Sequence, residues 1–182
     1  MRYLFAARHG DYSGNDRCDE KDELTPRGIN QIKTLALAIR KITGSDNICL
    51  SSTDARRVIQ SAEILQRELN ISDYTCVWGR DETGQIIEDT AFKIYSSKEK
   101  IYRAMIFVSH ECPTAENASY IAARVGFDEK SIGAIRYLDG LGTGRALALD
   151  LEQKTFTIIP EIKKPVIKKV EIKSVNEEPP AF

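Results

Sequence analysis

No stretch of the 182-residue chain approaches the ~18 consecutive apolar residues that a membrane-crossing helix needs. Met1-Arg2 leads directly into the first strand pattern, with no apolar leader and no small-residue cleavage site, so the expectation is a soluble, cytoplasmic protein. Charge of one sign is also missing: 26 basic residues oppose 27 acidic ones for a net charge of -1, which leaves no basic field for nucleic acid or an anionic membrane. Any positive site must be local. The four cysteines, Cys18, Cys49, Cys76 and Cys112, form no C-x-x-C pair, so zinc and redox motifs find no support and reduced thiols are expected. Histidine is scarcer still, with only His9 and His110, and that scarcity makes their positions informative.

What is present starts with the apolar run from Tyr3 to Ala7, which stops at Arg8-His9-Gly10. Such a run reads as a buried strand of an α/β sheet ending in a loop, and these sheets carry their chemistry at the strands' carboxyl ends. The residue types there suit an anion. Imidazole is a nucleophile near neutral pH, guanidinium forks onto an oxyanion, and glycine lets the backbone approach closely. Phosphate is the obvious ligand. His110 closes a second apolar strand that begins at Ala104, so both histidines are delivered to one rim.

Arg8-His9-Gly10 resembles the signature of the histidine phosphatase superfamily, which includes the phosphoglycerate mutases. Leu24-Thr25-Pro26-Arg27-Gly28 with Gln31 is similar to the start of that family's first helix. The block from Ser52 to Glu63 resembles the next, in which an arginine four residues before the Ser/Thr-Ala pair binds phosphate, and Val108-Ser109-His110 matches the block of the second histidine. Together these cover residues 1–159. The Thr143-Gly144 opening of a strand and the short chain point to the small bacterial phosphohistidine phosphatases within the superfamily.

The rest of the chain reads as one α/β domain, a three-layer sandwich with a mainly parallel central sheet, helices on both faces and a C-terminal β-hairpin. Residues 11–23 are an acidic, irregular connector. Thr25-Pro26 starts a helix that runs to about Ile42 and stops at Gly44. Ile48-Cys49-Leu50 is a short strand, and Ser51 to Asp54 supplies caps for a helix to about Leu69. Spacing alone does not choose between Arg56 and Arg57, whereas the gapless match to the family block selects Arg57. Residues 74–78 read as a strand and 90–105 as holding a helix before the next strand. After His110 a helix is predicted from Ala115 to Val125, then strands at 141–150 and 155–159. Residues 160–182, charged and punctuated by proline, form an extension that adds an edge strand at 166–172 or remains a tail.

The resemblance implies phosphoryl transfer to His9 and hydrolysis of the phosphohistidine by water, with Arg8, Gly10, Arg57 and His110 around the phosphoryl group. No metal or other cofactor is required. A metal reading of His110, Glu111 and Cys112 is weak because consecutive side chains diverge. The family's larger members add a glutamate as general acid, for which Asp81, Glu82 and Glu88 are candidates and Glu82 is the choice. The partner is then a phosphorylated small molecule or a phosphohistidine protein. A mutase-like phosphomonoesterase and a phosphate-binding module without turnover are the alternatives.

Overall fold

The computed structural model describes residues 1–14, 22–44, 47–76, 88–138 and 141–160, with the backbone alone at 88–91 and 111–113. Glu82, the expected strand at 166–172 and the whole charged extension beyond Pro160 lie outside the described residues.

In chain order the elements are β1 (Tyr3–Arg8), α1 (Pro26–Thr43), β2 (Ile48–Ser52), α2 (Arg56–Leu69), β3 (Asp73–Cys76), α3 (Glu88–Lys98), β4 (Ala104–Ser109), α4 (Glu111–Arg124), α5 (Glu129–Arg136), β5 (Ala146–Asp150) and β6 (Thr155–Ile159). One six-stranded sheet results, in the order β3-β2-β4-β1-β5-β6. The first four strands in that order pair parallel, while β5 joins β1 antiparallel and β6 completes the hairpin, so the sheet is mixed rather than mainly parallel. A tight connection allows only antiparallel pairing, which sets β6 against β5.

Helices cover both faces. Ile32, Leu35 and Ile39 of α1 and Val58 and Leu65 of α2 bury against Phe5, Ala7, Ile106 and Val108. On the other face Ala118, Ile121 and Ala122 of α4 and Ile135 of α5 meet Leu4, Ala6, Met105 and Leu147. Alternate residues of β1 and β4 thus feed different layers, as the pleat requires, and each large side chain fully buried in this way is worth roughly 1.5–3 kcal/mol. None of the described helices is long and apolar enough to cross a membrane.

Helix ends show which signals operated. Thr25 accepts from the Gly28 amide at 3.0 Å with Pro26 in the first turn, and Gly44 closes α1 at φ 75°, its amide donating to Arg40 O. α2 corrects the reading of its start. Its N-cap is Ala55, which has no side-chain acceptor, because Ser52 Oγ instead donates to Thr53 O and lies 2.8 Å from Tyr74 Oη. α4 begins at Glu111, immediately after His110 and four residues before the expected start. Pro113 does not prevent this, since a first-turn amide has no intrahelical partner to lose. α5 was not anticipated, although Asp128 caps it by accepting from the Ser131 amide at 2.9 Å.

Candidate active site

The pairing of β1 with β4 sets Arg8 opposite Ser109, so the next residue on each strand, His9 and His110, emerges at the same carboxyl-end rim. The His9 amide donates to Ser109 O at 3.1 Å, which ties the two exits together. Their imidazoles lie 5.2 Å apart, with planes at 71°. Beyond His110, the Thr114 amide and hydroxyl both donate to the His110 carbonyl and hold the turn into α4.

His9 is 3 % exposed, and its Nδ1 lies 2.8 Å from the Gly10 carbonyl oxygen. A carbonyl can only accept, so Nδ1 carries the proton and the lone pair sits on Nε2. Burial is the main force that lowers the His9 pKa to about 4. The Gly10 hydrogen bond pulls it back upward, and the charges of Arg57 and Arg8 lower it further. The ring is therefore neutral, with a defined nucleophilic nitrogen, throughout the neutral pH range.

Arg57 is buried in the first turn of α2, with its Nη2 at 3.5 Å from His110 Nδ1, a long contact for a hydrogen bond. Arg56, one residue earlier, is exposed and faces Glu23 at 3.4 Å, so the helix separates the two arginines cleanly. Arg8 acts on His9 through its charge, while its Nη1 donates to Leu141 O at 2.8 Å. The structure thus gathers His9, His110 and Arg57, turns Arg8 partly toward Leu141, and does not describe Glu82.

Gly10 supports this arrangement from behind. A Cβ there would meet the Gly28 carbonyl oxygen at 2.6 Å, so the loop passes α1 at a distance only glycine permits. The Gly10 amide donates to Ser61 Oγ at 3.1 Å, and Ser61 donates to Arg57 O at 2.7 Å. Ser61 thereby joins the His9 loop to the turn that carries Arg57. Its place four residues after Arg57, on the same helix face, was the available signal. Gln31 Oε1 accepts from the Asp11 amide and Gln60 Oε1 from the Leu24 amide, both at 2.8 Å, which fixes the described ends of the acidic connector.

A cavity of about 620 Å³ lies nearby, lined in part by Arg27, Gln31, Gly144 and Arg145. It contains neither histidine, so volume does not locate the chemistry here. Among the described residues no group of three or more His, Cys, Asp or Glu side chains has the arrangement of a metal site.

No protein-family model and no curated protein sequence matches the chain. Solved structures do. The protein histidine phosphatase SixA complexed with tungstate aligns at 17% identity and TM-score 0.60, over 86% of this chain and 93% of that one. A mycobacterial glucosyl-3-phosphoglycerate phosphatase aligns at 16% identity and TM-score 0.58, over 87% and 97%. The alpha-ribazole phosphatase from Shigella flexneri aligns at 16% identity and TM-score 0.57, over 86% and 94%. The chain has the α/β fold of these phosphatases.

Proposed function

We propose that this chain, built on the fold of the histidine phosphatases, is itself a phosphatase that works through a phosphohistidine at His9. The observation that carries the reading is the buried, neutral His9 imidazole with its proton held on Nδ1 by Gly10 O, beside His110 and Arg57. In the first step the Nε2 lone pair forms a bond to phosphorus as the bond to the leaving group breaks. The leaving group departs with that electron pair and takes up a proton. Water then forms a bond to phosphorus as the N–P bond breaks, its protons leave with inorganic phosphate or solvent, and neutral His9 is restored. Arg57 and His110 hold the phosphoryl oxygens, where positioning and charge do most of the work. Arg8 adds positive charge from the side of Leu141 O.

The substrate class follows from the leaving group. Phosphohistidine and aryl phosphates depart readily, whereas an alkoxide needs a placed acid, the role proposed for Glu82. Turnover of phosphoramidate, an aryl phosphate and 3-phosphoglycerate by wild type and Glu82→Gln tests this. Hydrolysis of the first two that survives the substitution supports a phosphohistidine protein phosphatase. Efficient 3-phosphoglycerate hydrolysis that collapses in the variant supports a mutase-like phosphomonoesterase, and no turnover of any of the three contradicts an enzyme.

A further inference from the structure

Tyr12 stands two residues beyond Gly10, and neither the motifs nor the proposed steps give it a task. Its backbone is pinned on both sides. Tyr12 and Leu24 form an antiparallel bridge, flanked by the Ser13 amide donating to Glu23 O at 2.9 Å and the Thr25 amide donating to Asp11 O at 3.0 Å. A Cβ on Gly14 would come within 2.6 Å of Tyr12 Cε2, so the chain turns back tightly against the ring.

The ring so held touches both principal groups of the site. Its centroid lies 4.7 Å from Arg57 Cζ, and it stands at 75° to the His9 ring with centroids 5.3 Å apart. His9 is therefore flanked by two nearly perpendicular rings, Tyr12 and His110, with Nδ1 fixed by Gly10 O. An aromatic face attracts a guanidinium without neutralising it and without occupying any N–H donor. That is what an arginine gripping a phosphoryl group requires, since a carboxylate partner would compete with the substrate for the same charge.

We propose that Tyr12 is a positioning residue, one that fixes the plane of Arg57 and the ring of His9 so that both address the same phosphoryl group. The inference rests on the reading of Arg57 and His9 as phosphoryl-binding groups. Its test compares Tyr12→Phe with Tyr12→Leu, which keeps apolar bulk and removes the π face. Tungstate binding by calorimetry and aryl phosphate kinetics are measured for each, alone and in an Arg57→Ala background.

Tyr12→Leu is expected to weaken tungstate roughly tenfold and to lower kcat, with Tyr12→Phe recovering most of both losses. In the Arg57→Ala background Tyr12→Leu should cost little further tungstate affinity, because that part of its effect passes through the missing guanidinium, while a part of the kcat loss, which passes through the His9 ring, should remain. Tungstate binding by Tyr12→Leu equal to wild type, a Phe variant as poor as the Leu variant, or a full loss that persists without Arg57 would each overturn the proposal. Tyr12→Met serves the same comparison if the Leu variant does not fold. Wild type that binds tungstate but turns over no aryl phosphate would remove the enzymatic reading alone, and the Phe and Leu affinities would still decide the role of Tyr12. Wild type that binds no tungstate overturns both.

Discussion

Gly10 and Gly28 lie against each other so closely that a Cβ on the first would meet the carbonyl oxygen of the second at 2.6 Å, and one on Gly28 would come closer still to Asp11 O. This contact sets the depth of the His9 loop over α1. Gly28→Ala should cost roughly 1–3 kcal/mol in urea unfolding and lower kcat by displacing the loop. Gly133→Ala is the matched control, because its Cβ meets nothing within 4 Å in the middle of α5. It should stabilise by roughly 0.4–1 kcal/mol and leave turnover unchanged.

Burial lowers the His9 pKa from 6.5 to about 4, and this sets two pH dependences. The unfolded chain takes up the proton first, so stability falls as pH drops from about 6.5 toward 4, by about 3 kcal/mol over the whole window. Urea unfolding of wild type and His9→Asn at a series of pH values checks this: the difference between them should narrow or reverse as the pH is lowered. Activity depends on the neutral ring, so kcat/KM, corrected for ionisation of the substrate, should hold down to about pH 5 and fall with a midpoint near 4. A midpoint near 6.5 would mean that the ring is solvated.

Neighbouring arginines on α2 have opposite fates, Arg57 buried beside His110 and Arg56 exposed beside Glu23. Arg57→Ala should lower kcat/KM by on the order of 10²–10³, equivalent to roughly 3–4 kcal/mol of transition-state stabilisation. Arg56→Ala should stay within about twofold, because an exposed ion pair is worth little. Steady-state kinetics with an aryl phosphate and vanadate inhibition measure both.

Burial also pushes the Cys49 thiol up to about 12. Cys49, 2 % exposed within β2, should resist a maleimide at pH 8 until the chain unfolds, whereas Cys76, at the end of β3, is partly exposed. Mass mapping of the labelled cysteines before and after denaturation reads the difference. Rapid labelling of native Cys49 would contradict the packing of β2 between its helix layers.

The rim was legible because β1 and β4 are short apolar runs that stop at the only two histidines, and buried parallel strands carry that pattern undiluted. Arg57 was legible through its register with Ser61-Ala62, although the role of Ser61 in tying Gly10 to Arg57 was not. The i, i+4 spacing signals the contact of Ser61 with Arg57, but the contact with Gly10 joins residues 51 apart in sequence, and no local pattern encodes it. Tyr12 was missed for the same reason, since its place depends on the bridge to Leu24 across the connector. α5 left a local signal, Asp128 followed by Ser131, but eight residues give too little periodicity to stand out. α4 starts four residues before the expected Ala115, with Pro113 in its first turn, where a missing amide costs no intrahelical bond.

The central claim is the bond between phosphorus and His9 Nε2, and rapid quenching tests it most directly. Protein mixed with a phosphoramidate or aryl phosphate, quenched in alkali within one turnover and digested, should yield an alkali-stable, acid-labile phosphoryl group on the peptide that contains His9. The adduct should be absent from His9→Asn, which should also lose turnover. A phosphoryl group on another residue, or hydrolysis at the wild-type rate in His9→Asn, would contradict the account.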